Sequence, residues 1–275
     1  TIPLYFFMFF VILACQSSPQ QQAEPSSDTV LVEVQQYEPL PWPKEGVLLK
    51  EPVNLETCLD RVPSCQCWMG TELKEECGPQ YIYEILELPH LMSESMQHHT
   101  WTEECPTSLD DLRLLRMLHW TETGAVQWGE IVLTKRVVTE AAGIFQDLYL
   151  QRFPIHSMKP AVEYRGSDEN SMADNNSSAF NCRKVKGSSR WSEHSFGEAI
   201  DINPLWNPWV KGDRIYPKNA GQFVSRATKI PGMINEGDPI VEVFEQHGWQ
   251  WGSQKPGVKD YQHFSRKDHS ETYGN

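Results

Sequence analysis

Residues 192–204 read SEHSFGEAIDINP, with His194 and Asp201 seven positions apart and Gly197 and Ala199 between them. Ala199, Asp201 and Asn203 alternate with Ile200 and Ile202, as in a strand whose isoleucines enter the core and whose Asp201 faces the other way. His194 lies on the loop leading in, and Gly197 permits a sharp turn there. Near the C-terminus DYQHF supplies Asp260 and His263. With Asp260 at the bend before a strand, both of its polar groups can enter one cleft. Two histidines and a carboxylate form a zinc set that leaves a position for water, whose pKa the metal lowers. A second carboxylate outside the metal shell must then move the proton, and Asp260 or a neighbouring Glu can do so. Spacing alone leaves the plainer readings open: Asp201 as a backbone hydrogen-bond acceptor, Asp260 as a turn cap. His98 and His99, in a polar stretch, read as surface residues.

The elements that must position these groups follow from periodicity. LRLLRMLHW (112–120) and the run ending GEIVLTK flank a polar turn and read as a strand pair. Val138, Ala141, Ala142, Phe145, Leu148 and Tyr149 have helical spacing, and this helix ends before Pro154. Residues 159–164 read as a further strand and 166–189 as a polar loop of the length that carries function. Asp238-Pro239 predicts a helix start, with Asp238 as the cap, and Gly248 its stop. Strands and helices in this mixed order predict an α+β fold, a small antiparallel sheet flanked by helices.

The chain carries a net charge of −13, and residues 51–110 hold 12 Asp/Glu against 2 Lys/Arg. Such a surface repels phosphate backbones, so nucleic acid is excluded as a partner. Residues 2–14 are nearly all apolar but too few to span a bilayer, which takes about 20 residues. They suit a secretory signal with a truncated start, and Ile12-Leu13-Ala14-Cys15 resembles a bacterial lipobox, with Cys15 the lipidated residue. The expected organisation is a signal (1–14), a Ser/Gln/Pro-rich tether (15–45), an acidic Cys-rich extension (46–100), the catalytic domain (101–265) and a tail (266–275). An exported lipoprotein held at a membrane by its lipid alone, facing periplasm or cell wall, is the expected address, and a monomer the expected state. Of seven cysteines, six then remain for an oxidising compartment. The spacings of Cys58, Cys65, Cys67 and Cys77 do not suit a zinc knuckle. A natural division is two disulfides inside 58–77 and one joining Cys105 to Cys182.

SEHSFGEAID fits Ser-x-His-x-x-Gly-x-Ala-x-Asp, and DYQHF fits the Asp/Glu-x-x-His that closes the site. Together they resemble the VanY-like zinc D-alanyl-D-alanine carboxypeptidases and L-alanyl-D-glutamate endopeptidases. CPTSLDDLRLL, GEIVLTKRV, RFPI, SMADNNSSAFNCR, DINPLWNP and GWQWG extend the resemblance over about residues 101–265. It implies a hedgehog/D-Ala-D-Ala peptidase-like fold with a zinc cleft and Zn2+ held by His194, Asp201 and His263. It implies Asp260 as general base, Arg183 as the donor to the substrate carbonyl, and Ser192 beside metal or substrate. It supports a Cys105–Cys182 bond, and with the exported address it implies peptidoglycan stem peptides as substrate. The alternatives are the endopeptidase, a zinc-containing module that binds cell wall without turnover, and a structural lipoprotein held by disulfides.

Overall fold

A computed structural model describes residues 81–267 except 228, 255 and 256. The expected signal, tether, Cys15 and the cluster Cys58, Cys65, Cys67 and Cys77 lie outside the described residues.

Strands β2 (Leu112–Trp120) and β3 (Val126–Thr134) form an antiparallel pair in register from Leu112↔Thr134 to Trp120↔Val126. A turn closes it, with Thr121 N donating to Ala125 O at 2.8 Å and Gly124 at φ 78°. Strand β1 (Tyr83–Glu87) adds to the free edge of β2. Both faces of this sheet are covered, which is why β2 is apolar almost throughout instead of alternating. Leu115, Met117, Ile131 and Leu133 pack into the main core with helix α2 (Val138–Leu150). Leu112, Leu114 and Val132 meet Met92 and Met96 of helix α1 (His90–His99). Arg116 stands opposite Glu84 on one side and Glu130 on the other, and pairs with them at 3.5 and 3.1 Å. Paired in this way, buried Arg116 and Glu130 and half-buried Glu84 avoid the cost of isolation.

The apolar face of α2 is buried as its spacing predicts, and the helix ends at Leu150, before Pro154. Helix α4 (Pro239–Gln246) buries Ile240, Val241, Val243 and Phe244, and Gly248 closes it at φ 80°. Its entry differs from expectation. The Asp238 side chain does not cap the helix; it accepts from Asn235 N at 2.7 Å and Asn235 Nδ2 at 2.9 Å, stabilising the turn before it. Phe244 stacks on Phe264 with ring centroids 3.8 Å apart, fixing α4 to the strand that carries the second histidine.

Strands β6 (Ala199–Asp201), β11 (His263–Arg266) and β9 (Trp249–Trp251) form a second antiparallel sheet in the order β6-β11-β9. Strands β7 (Trp209–Lys211), β8 (Arg214–Tyr216) and β10 (Lys259–Asp260) form a third, in the order β10-β7-β8. The strand expected over 159–164 is not there. Pro160 has no N–H for a ladder, and Ala161–Tyr164 close a 3₁₀ turn instead. Only β4 (Ser157–Met158) pairs in this region, in parallel with β5 (Asn176–Ser177). The segment expected as loop contains β5 and helix α3 (Asp168–Ala173), whose first turn is capped by Ser167 Oγ accepting from Asn170 N at 3.3 Å. A disulfide joins Cys105 to Cys182, and Cys182 N donates to Thr100 O at 3.0 Å.

The architecture is α+β, with small antiparallel sheets and few helices. Its described part reaches back before position 101, since β1 and α1 complete the first sheet. Met96→Ala in α1 should therefore lower stability by about 2–5 kcal/mol in denaturant titration, while the exposed Leu91→Ala should change it by no more than about 0.5 kcal/mol. Equal small effects would contradict the integration of α1.

Candidate metal centre

Ile200 and Ile202 are fully buried, so β6 turns Asp201 away from the core beneath it. The pairing of β6 with β11 sets His263 directly opposite Asp201. His194 comes from a 3₁₀ turn, Glu193–Phe196, that Gly197 ends at φ 65°. A Cβ at Gly197 would lie 2.9 Å from Thr134 N, and Gly197 O accepts from that same N–H at 3.1 Å. The glycine thus lets the histidine turn dock on β3. Among the described residues His194, Asp201 and His263 form one group of potential metal ligands, with donor atoms all within 4.8 Å of one another.

The outer contacts fix which nitrogens face inward. His194 Nδ1 donates to Ala179 O at 2.6 Å, leaving Nε2 at 3.2 Å from Asp201 Oδ2. His263 Nε2 donates to Glu193 Oε2 at 2.6 Å, leaving Nδ1 at 3.0 Å from Asp201 Oδ1. Each imidazole is therefore oriented from behind and offers its other nitrogen, as metal-bound histidines do. Burial pushes the Asp201 carboxyl up, but the His194 and then the His263 imidazoles outweigh it and hold the group well below the usual carboxylate range. Burial alone would lower His263; its hydrogen bonds to Asp201 and Glu193 prevail and hold it well above 6.5. Two carboxylates around His263 thus favour positive charge, and a divalent cation meets the same field once the proton on Nδ1 leaves. The donor set and its inward nitrogens fit a metal ion.

Asp260 and His263 are brought together by the crossing from the third sheet to the second. Asp260 pairs opposite Trp209 in β10, and three residues later His263 begins β11. A Cβ on Gly252 would come 2.8 Å from Asp260 Cβ and 3.2 Å from His263 Cβ, so both residues sit over this glycine. Arg226 steadies the crossing. Its guanidinium lies 4.4 Å from the Tyr261 ring and donates to Trp206 O, Asn207 Oδ1 and Ile234 O.

Arg183 is tied to the metal turn by its backbone: Ser195 Oγ accepts from Arg183 N at 2.9 Å and donates to Arg183 O at 2.8 Å. Its guanidinium pairs with Asp168, which also accepts from Asn181 Nδ2 at 2.7 Å. Ser192 is buried at the start of the turn, with its N–H on Arg183 O at 2.9 Å. His98 and His99 are exposed at the end of α1. Sequence reasoning missed Glu193, whose one signal is an acidic residue beside a ligand histidine. It also missed Gly252 and the carbonyl of Ala179, which has no side-chain signature.

Residues 186–266 match a family model described as D-alanyl-D-alanine carboxypeptidase. The matched segment contains Ser192, His194, Asp201, Asp260 and His263, whereas Cys105, Cys182 and Arg183 precede it. No curated protein and no solved structure shows significant similarity to the chain.

If Glu193 orients His263, Glu193→Gln should weaken metal affinity roughly tenfold and Glu193→Ala up to about a hundredfold, read by chelator competition. Wild-type affinity should also fall as pH is lowered. Unchanged affinity in both variants would contradict the orienting role.

Proposed function

We propose that the chain is a zinc metallopeptidase that removes the terminal D-alanine of peptidoglycan stem peptides. The observation that carries this reading is the His194–Asp201–His263 group within a carboxypeptidase-family segment, its two imidazoles oriented with one nitrogen each toward Asp201. Zn2+ held by His194 Nε2, His263 Nδ1 and the Asp201 carboxylate would polarise the peptide carbonyl and acidify water. Asp260, beside His263 over Gly252, takes a proton from the attacking water and delivers it to the leaving amine. Arg183 supplies positive charge to the carbonyl oxygen as negative charge develops there, and Asp168 holds it through Nε. The buried Ser192 supports the turn that carries His194. A hedgehog/D-Ala-D-Ala peptidase-like fold, a lipid anchor at Cys15 and a monomer facing periplasm or cell wall complete the proposal.

The test is incubation of the zinc-loaded protein with defined muropeptides, with products read by mass spectrometry. Loss of one terminal D-alanine is expected. A cut between L-alanine and D-glutamate would make the chain the corresponding endopeptidase. No product across a broad stem-peptide panel, with zinc bound, would leave a binding module. Asp260→Ala should retain zinc and lose about 10²–10⁴-fold in kcat; full activity in that variant would overturn the base assignment.

A further inference from the structure

In a chain of net charge −13, residues 175–192 hold four Lys/Arg (Arg183, Lys184, Lys186 and Arg190) and no Asp/Glu. This run forms a hairpin directly before the metal turn. Lys184 bridges Trp191, Val185 N donates to Arg190 O at 2.9 Å, and Gly187 turns at φ 77°. Lys184, Lys186 and Arg190 are exposed. A second hairpin, β7–β8, carries exposed Lys211 and Arg214 with exposed Asp213 between them, and abuts the first, with Lys186 Nζ 5.8 Å from the Tyr216 ring. Beyond it the contacts run on to the expected base: Tyr216 meets Trp209 at 5.8 Å, and Trp209 stands opposite Asp260.

The cations on these hairpins differ from most others in the fold. Arg113, Arg116, Lys135, Arg136 and Arg266 each pair with a carboxylate. Among the described residues Lys184, Lys186, Arg190, Lys211 and Arg214 have no carboxylate partner. Several rest on aromatic faces instead: Lys184 Nζ lies 3.2 Å from the Trp191 ring centroid and the Arg214 guanidinium 5.7 Å from that of Trp209. An aromatic face holds a cation in place without neutralising it. The rim thus keeps positioned positive charge beside the metal centre of an otherwise acidic molecule.

We propose that these two hairpins form a carboxylate-binding subsite that selects peptides carrying free acidic groups besides the scissile bond. This rests on the peptidase reading and names a substrate class for it. Trp191, Trp209 and Tyr216 are half-buried beneath the cations and do not protrude, so the surface suits a charged peptide better than a bilayer. The first hairpin leads straight into the His194 turn, and the second pairs with Asp260 through Trp209, so both adjoin elements that carry the site. Clustered cations without carboxylate partners also raise the local concentration of an anionic ligand around an acidic protein.

The test uses the zinc-loaded full chain and matched pentapeptides whose scissile amide is replaced by a reduced CH2–NH link. One carries side-chain carboxylates, the other the corresponding amides. Calorimetry should show the acidic peptide binding about fivefold tighter, and Lys186→Gln with Arg190→Gln should bring that ratio near unity, since exposed ion pairs are individually weak. Lys159→Gln with Lys229→Gln, which removes two positive charges from exposed sites elsewhere, should leave the ratio unchanged. About 1 M salt should erase it. Equal affinity for the two peptides, no binding of the acidic one, or loss of anionic-vesicle binding in place of peptide selectivity would overturn the proposal. Turnover of the unmodified peptides is measured separately. Selectivity without turnover defeats the peptidase reading alone, and turnover without selectivity defeats the subsite alone.

Discussion

The site depends on the backbone register between β6 and β11. That pairing sets Asp201 against His263, and one carboxylate then faces both imidazoles, at 3.2 Å from His194 Nε2 and 3.0 Å from His263 Nδ1. A slip of one residue would turn Asp201 into the core and Ile200 or Ile202 toward the histidines. The buried isoleucines below and the Phe244–Phe264 stack behind hold the register, so packing on one side of the sheet specifies polar geometry on the other. The two histidines are further constrained from outside by the Ala179 carbonyl and Glu193. The inward nitrogens are consequently fixed by the fold itself, which lowers the ordering cost of binding a metal ion there.

The supporting scaffold serves this register from two directions. Gly197 lets the histidine turn sit against Thr134 of β3, so the first sheet supports His194. Gly252, Tyr261 and Arg226 hold the crossing from β10 to β11, so the third sheet brings Asp260 beside the second. The Cys105–Cys182 bond and the two Ser195 hydrogen bonds anchor the segment leading to Arg183 along the same turn. Chemistry-bearing groups thus come from separate elements, and each is fixed by contacts of its own.

Much of this was legible from residue order, because the informative features are local or periodic. The 112–134 hairpin, α2 and the alternation at Ile200, Asp201 and Ile202 follow from burial period alone. The ligand triad came from spacing together with family resemblance, since three polar residues do not by themselves state that they converge. What escaped prediction has a physical reason in each case. Residues 159–164 have strand-like composition, but Pro160 removes a ladder donor. Asp238 has a capping residue's chemistry, yet Asn235 competes for its carboxylate. Helix α1 buries only two residues, Met92 and Met96, while its Leu91 is exposed and the other seven positions are polar, so its packing on the sheet is a tertiary fact. Glu193 and the Ala179 carbonyl act through space on histidines whose sequence neighbours do not reveal which nitrogen is turned inward.

Diffraction from crystals of the zinc-loaded protein, collected at the zinc absorption edge, addresses the account most directly. One anomalous peak is expected per chain, at roughly 2.0–2.2 Å from His194 Nε2, His263 Nδ1 and an Asp201 oxygen. Zinc bound elsewhere, zinc held by His263 Nε2, or no peak at saturating zinc would contradict the assignment of this group as the metal centre.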